Sequence, residues 1–195
     1  MATTAAPSGA RPVNTTSASG SFNGKVQHIK IASGYATAIF YGDFVKIVAA
    51  GTVEKAAVTT SVVAGTVGIF MGCSYTDPNT NQLTFNQQFI ASTAADDIMA
   101  YVCDDPKLLF RMQGDEAIAQ TGLGNNISAV NTAGSTSIGR SKNALDGGSI
   151  ATTNTLPLRV VDFVDGPSSA VGDAFTDCIV TYLPLSHAYE TKLGV

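Results

Sequence analysis

The segment from Ile98 to Glu116, IMAYVCDDPKLLFRMQGDE, constrains the fold more than any other stretch of the chain. Ile98 to Cys103 is a wholly apolar run of strand-forming residues. Asp105-Pro106-Lys107-Leu108 then reads as a type I turn, with Asp at its first position and Pro setting φ at its second. Leu108 to Gln113 alternates, with Leu108, Phe110 and Met112 on one face and Leu109, Arg111 and Gln113 on the other. The pattern predicts a β-hairpin. A first strand apolar on both faces also needs cover on both sides, from a second sheet or from a neighbouring chain.

The rest of the chain repeats this rhythm of short strands and turns. Val26–Ile31 alternates, placing Gln27, Ile29 and Ile31 on one side and His28 on the exposed other. Ala38–Val48 is interrupted by Gly42-Asp43, the mark of a bulge or turn. Val67–Ser74 and Leu83–Phe89 flank the turn residues Tyr75 to Asn81. Leu123–Val130, Leu156–Val164 and Cys178–Leu183 supply further strands, and Asp115–Gly124 has room for one short helical turn. Residues 131–155 are mostly Ser, Thr, Asn, Gly and Ala, which predicts a long exposed excursion. With no βαβ rhythm and no long amphipathic stretch, the reading is all-β: a single antiparallel sandwich or barrel-like domain with at most one short helix.

Residues 1–21 stand apart as an N-terminal arm of small and polar residues whose single charge is Arg11. Such a segment buries too little apolar surface to offset its ordering entropy, so it is expected to order only against something else. Residues 22–195 form the β domain, and deletion of residues 2–21 is expected to leave that domain folded.

Charge narrows the function classes. A net charge of −4 and the absence of any Lys/Arg run argue against a nucleic-acid binder, which neutralises phosphates with a basic footprint. Only 13% of residues are charged, which describes a surface suited to lying against other protein. Ala56–Cys73 is uncharged and long enough to suggest a membrane span, but its Val, Thr and Gly content fits two short strands better. Cys73, Cys103 and Cys178 lie in apolar runs without C-x-x-C spacing and read as buried free thiols of a protein made in a reducing cytosol.

Candidate chemistry is thin. Ser168, His187 and Asp177 could be imagined as a triad, yet no nucleophile-elbow spacing supports it, and His187 reads as a terminal surface histidine. The hairpin carries Asp96, Asp97, Asp104, Asp105, Asp115 and Glu116 at its ends, and pairing of its strands brings Asp97 near Asp115. Two or three carboxylates fall short of a calcium cage, and a carboxylate glycosidase lacks the Trp that usually floors a glycan cleft. Gly122-Leu123-Gly124 is a bare G-x-G. The expectation is a protein that is not an enzyme and that uses no metal or cofactor.

Five blocks carry a resemblance: SGYATAIFYGDFVKI (33–47), AYVCDDPKLLFRMQGDEA (100–117), TGLGNNI (121–127), LPLRVVDFV (156–164) and CIVTYLPLSHAY (178–189). In order and spacing they resemble capsid decoration, or cement, proteins of tailed bacteriophages. The chain departs from that pattern at Phe44, where Pro is common, and at Lys107 and Arg111, where acids are common. The resemblance implies a structural virion protein on the outer surface of an expanded capsid, bridging major capsid subunits against internal DNA pressure. It implies a homo-oligomer, a trimer first and a dimer second, with no nucleic acid or membrane among its partners. Contacts are expected from Arg11, Pro12 and Val13 in the arm, with Phe22 seating the arm on the core and Tyr189 and Leu193 acting at the other terminus. An alternative is a receptor- or glycan-binding module of a head or tail fibre, which a cluster of Tyr35, Tyr41, Tyr75 and Tyr189 on one loop end would favour.

Overall fold

The computed structural model describes residues 4–17, 22–59, 65–184 and 186–191. Fourteen strands are defined: β1 (Arg11–Thr15), β2 (Gln27–Lys30), β3 (Ile39–Phe40), β4 (Phe44–Ile47), β5 (Val53–Lys55), β6 (Thr66–Thr76), β7 (Leu83–Asn86), β8 (Gln88–Phe89), β9 (Met99–Cys103), β10 (Leu108–Gln113), β11 (Asn126–Val130), β12 (Ala144–Ala151), β13 (Leu158–Phe163) and β14 (Asp177–Tyr182). Two short 3-10 turns, Gln120–Gly122 and Ala188–Glu190, are the only helical pieces among the described residues. The chain is an all-β protein in which antiparallel sheets form a sandwich-like arrangement.

The first sheet runs β1-β10-β14-β13-β11-β12, and the second runs β2-β9-β6-β4-β5 with β7 attached to β6. A small third sheet pairs β3 with β8. A bridge from Leu145 on β12 to Gly114, just past β10, brings the first sheet part of the way toward closing on itself.

The predicted hairpin does not form. The Asp-Pro turn is present, with Leu108 N–H donating to Asp105 O at 3.1 Å and Lys107 N–H donating to Asp105 Oδ1 at 2.8 Å. The two strands it joins nevertheless belong to different sheets. Both edges of β9 are taken, by β2 and β6, while β10 lies between β1 and β14. With both edges of β9 occupied, the returning chain has nowhere to pair beside it and crosses to the other layer. Leu108, Phe110 and Met112 then face Cys103, Phe44 and Ile69 across the interlayer core. The alternation in β10 holds as expected, with Leu108, Phe110 and Met112 buried and the intervening residues half-exposed.

The double cover that β9 requires comes from the chain itself. Ala100 and Val102 pack into a second core with Val67, Phe70, Phe89 and Ile98, whereas Cys103 belongs to the interlayer core. Strands β4 and β6 divide in the same way: Phe44 and Ile69 face one core, Val45 and Val67 the other. No neighbouring chain is needed to cover Ala100, Val102 or Cys103, although Met99 at the start of the strand stays exposed.

Three further expectations change. Residues 131–155 are not a loose excursion: Ala144–Ala151 is strand β12, and Ser141 and Asn143 are buried. Their polar groups are satisfied internally. Asn143 donates to Asp43 at 3.2 Å and accepts from Thr132 N–H at 3.0 Å, and its carbonyl accepts from Gly9 N–H at 3.2 Å. The buried Asp43 also meets Lys55 Nζ at 2.9 Å and accepts from Phe40 N–H in its own turn, so one carboxylate ties three segments together. Within this segment, a Cβ at Gly134 would sit 2.3 Å from the Phe40 ring, so only glycine lets the loop close over β3.

The second change concerns the N-terminus. Residues 11–15, expected in an arm apart from the domain, form the edge strand β1 on the chain's own first sheet, with Ala10 fully buried in the interlayer core. Gly9 explains part of the fit: at φ +70° its backbone lies where a Cβ would meet Gly42 O at 2.5 Å. Deleting residues 2–21 therefore strips an edge strand from β10 rather than removing a free tail. Third, His187 is fully buried rather than on the surface.

Candidate functional site

The outer edge of β1 is the structure's best-defined candidate for contact with a partner. Register slips between Pro12 and Asn14, a bulge that leaves Val13 46% exposed. Pro and a bulge are common devices for keeping an edge strand from pairing indiscriminately. A cavity opens at each end of the strand.

At the C-terminal end of β1, a cavity of about 360 Å³ is lined by Thr15, Phe22, Lys25, Asp104, Asp105 and Tyr189, among others. The interlayer turn builds its floor. Thr15 donates through its hydroxyl to Asp105 Oδ2 at 2.8 Å, and Thr16 N–H donates to Lys107 O at 2.9 Å. Lys107 Nζ reaches Glu190 Oε1 at 2.7 Å and holds the C-terminal 3-10 turn against the same corner. Tyr189 donates from its hydroxyl to Gln27 Oε1 at 2.9 Å and stays half-exposed. Partial burial pushes its phenol pKa up, and the neighbouring Asp104 carboxylate adds to the shift.

Behind Tyr189 stands a column of rings. Tyr189 contacts His187 with centroids 5.2 Å apart, His187 contacts Tyr182 at 5.2 Å, Tyr182 contacts Phe110 at 5.2 Å, and Phe110 contacts Phe44 at 5.7 Å. The column runs from the surface into the core between the two sheets. Burial lowers the His187 pKa; the Val67 backbone, short of hydrogen-bond geometry, and the carboxylates of Glu190, Asp104 and Asp105 act weakly in the opposite sense. Its Nδ1 accepts from Tyr189 N–H at 3.2 Å, which fixes the neutral ring with its proton on Nε2. Tyr182 Oη, buried without a hydrogen-bond partner, has its pKa pushed well above the ordinary phenol value by desolvation.

At the N-terminal end of β1, a cavity of about 310 Å³ is lined by Arg11, Tyr41, Gln87 and Arg140. These residues come from four separate segments, pinned together by main-chain bonds: Tyr41 N–H donates to Gly139 O at 3.1 Å and Ser141 N–H to Tyr41 O at 2.9 Å.

A second surface is apolar. On β7, Leu83 is 63% and Phe85 68% exposed, and Met99 is exposed on β9. Ser74 on β6 pairs with both Phe85 and Met99, so those two side chains flank one position on one face of the second sheet. Among the described residues β7 pairs with β6 alone, which leaves its other edge open.

The expected contact residues fall as follows. Arg11, Pro12 and Val13 share the β1 edge; Phe22 and Tyr189 line one cavity together; Leu193 lies outside the described residues. Tyr41 was named only for the tyrosine cluster of the fibre reading, and nothing in the residue pattern pointed to its meeting with Gln87 and Arg140, which depends on tertiary structure. Only the identity of Arg140 as one of four arginines offered a hint.

The triad does not assemble. Asp177 opens β14, where it pairs with Arg111, and His187 lies beyond the opposite end of that strand, packed between two tyrosines. Asp97 and Asp115 do not converge either, since their strands lie in different sheets. Asp97 accepts from the Thr76 hydroxyl at 2.6 Å, while Asp115 accepts from Gly147 N–H at 3.0 Å. The acids that do gather are Asp115, Glu116 and Asp146, with oxygens within 4.8 Å of one another. Counted at one oxygen each, these three carboxylates offer about half of the six to eight oxygens a calcium ion takes. The tyrosine cluster of the fibre reading is also missing: Tyr75 is buried, and Tyr35 accepts from Lys55 N–H at 3.2 Å while packing on the second core. No helix among the described residues is long and apolar enough to cross a membrane. No family model, curated protein or solved structure matches the chain.

Proposed function

We propose that this chain is a non-enzymatic structural protein of a tailed-phage virion, a decoration protein that binds the outside of an expanded capsid and cements neighbouring major capsid subunits. The observation that supports a protein-contact role is the exposed apolar row of Leu83, Phe85 and Met99 beside an open strand edge, in a molecule whose cores are otherwise covered from within. Exposed apolar groups on an open edge are an aggregation hazard unless a partner covers them. In this reading a second copy covers the β7 face in a homo-oligomer, a trimer first and a dimer second. The β1 edge, with Arg11, Pro12 and Val13, meets the capsid. Repetition over the shell supplies avidity without a large single interface. The resemblance of the 100–117 and 178–189 blocks to decoration proteins directs the reading to a phage capsid.

The cavity between Phe22 and Tyr189 keeps a second reading open, a receptor- or glycan-binding fibre module, because aromatic walls beside carboxylates suit a polar ring. Co-sedimentation with expanded, empty capsids of the encoding phage separates the two. Saturable binding at a fixed ratio to the major capsid protein is the expected result. Absence of binding to mature shells sinks the decoration reading. Leu83→Ser with Phe85→Ser, both at exposed positions, is expected to convert the oligomer to a monomer with its fold intact; an unchanged sedimentation coefficient removes β7 from the interface.

A further inference from the structure

The geometry points to a carboxylate-binding site between Arg11 and Arg140, shaped for an acidic side chain of a partner polypeptide lying along β1. The chain has four arginines, and two of them are engaged internally. Arg111 pairs with Asp177, and Arg159 donates from Nε to Asn126 Oδ1 at 3.0 Å. The guanidinium groups of Arg11 and Arg140 have no ion-pair or hydrogen-bond partner among the described residues, and they share one cavity of about 310 Å³ that no acidic residue lines. On a protein of net charge −4, this cavity is lined by two cations and no acid.

The surrounding ladder sharpens the point. Arg11 stands directly opposite Arg111 across the β1–β10 pair, an arrangement of like charges that is ordinarily unfavourable. Asp177 neutralises Arg111, which leaves Arg11 and Arg140 as the uncompensated cations lining one cavity. An oxyanion seated between Arg11 and Arg140 relieves both. Two planar guanidinium forks match a carboxylate, while the Tyr41 hydroxyl and the Gln87 amide supply neutral donors for remaining lone pairs. The Tyr41–Gly139 and Ser141–Tyr41 main-chain bonds fix the backbone that carries Arg140. A protein acid is favoured over a sugar acid because Tyr41 is the cavity's one aromatic and because the β1 edge beside it presents backbone to an extended chain. The identity of the partner rests on the capsid reading above; the chemistry of the site does not.

The test uses the full chain and follows the arginine Nε–Hε resonances by NMR during titration with glutarate, D-glucuronate or inorganic phosphate, with chloride holding ionic strength constant. With glutarate, the Arg11 and Arg140 signals are expected to move together and saturate while Arg111 and Arg159 stay in place. Arg140→Gln is expected to weaken this binding at least about tenfold, with thermal unfolding unchanged or raised because a like-charge contact is relieved. A parallel, non-saturating drift of all four arginines, or full binding by R140Q, overturns the site. Tighter binding of glucuronate or of phosphate than of glutarate overturns the protein-acid assignment in favour of that ligand. If glutarate binds but capsids do not, the decoration reading fails alone; if capsids bind and glutarate does not, the carboxylate site fails alone.

Discussion

Two strands in this protein end in the same local chemistry and lead to different places. Strand β6 runs into Thr76-Asp77-Pro78, and β9 runs into Asp104-Asp105-Pro106. In both turns the second-named aspartate or its equivalent, Asp77 or Asp105, accepts from the N–H two residues on, at 2.7 Å and 2.8 Å. The first turn closes a true hairpin, with Thr76 paired to Leu83. The second carries the chain from one sheet to the other. Turn residues dictate that the chain reverses; they do not dictate whether the returning strand pairs with the outgoing one. That is decided by occupancy. Past Cys73 the β6 strand still has a free edge for β7, whereas both edges of β9 are already filled.

The comparison is broken most directly at the two phenylalanines that follow the turns. Phe110→Ala removes a ring buried between the sheets and packed on Phe44 and Tyr182, so a loss of about 3–5 kcal/mol is expected in urea unfolding. Phe85→Ala, on the hairpin, removes a mostly exposed ring and is expected to change stability by less than about 0.5 kcal/mol. Similar losses from the two substitutions would contradict the crossing of β10 into the other layer.

The turns themselves give a smaller contrast. Asp77 accepts only from its own turn, whereas Asp105 also holds the Thr15 hydroxyl of the distant β1. Asp105→Ala is expected to cost about 1 kcal/mol more than Asp77→Ala, and a Thr15→Val background should erase the difference in a double-mutant cycle.

Acid separates the two regions by pH window. His187, behind the interlayer turn, has a folded pKa below its ordinary 6.5, so the unfolded chain takes up the proton first. Its share of stability is complete above about pH 6.5 and is lost as pH falls from there through the folded value. Asp97, beside the hairpin, has its pKa lowered from 3.8, chiefly by the Thr76 hydroxyl and then by the Thr76 N–H. Its contribution is present above 3.8 and lost only as pH falls below it. Urea midpoints at pH 7.5 and 5.5 should therefore differ, and His187→Phe should flatten that difference while Thr76→Val leaves it unchanged.

The smallest effect expected is silence. Burial pushes the Cys73 thiol up to about 12, Cys103 to about 11 and Cys178 to about 12. All three should resist an aromatic disulfide reagent at pH 8 and react together on unfolding; early reaction of Cys73 alone would show that the hairpin side opens first.

The strands were legible because alternation and turn residues are local. The inner face of β10, the Asp77–Asn81 turn and the exposure of His28 all follow from neighbours in sequence. Partner choice is not local, and it accounts for the false hairpin. The polar 131–155 segment misled for a related reason: Asn143 and Ser141 look solvent-facing until Asp43 and Thr132 are brought to meet them. His187 was misjudged because the rings that bury it arrive from β14 and the last turn. At the candidate site, Arg11, Phe22 and Tyr189 were visible as isolated large residues. Arg140 was invisible as the counterpart of Arg11 because 129 positions of chain separate the two.

The crossing between layers also bears on how the protein comes to be made. Because β9 and β10 part company, β2 finds its partner about 75 residues downstream and β1 about 100, in the pairs Gln27–Val102 and Arg11–Arg111. Loop closure of that length has to be met before those pairs return anything, which places the chain among slow, milliseconds-to-seconds folders. A chain emerging from the ribosome holds its first two strands unpaired until more than half of it has been synthesised. The two prolines and the many small polar side chains of the first twenty residues then serve a purpose before any partner is met: they keep a waiting edge from sticking to its neighbours.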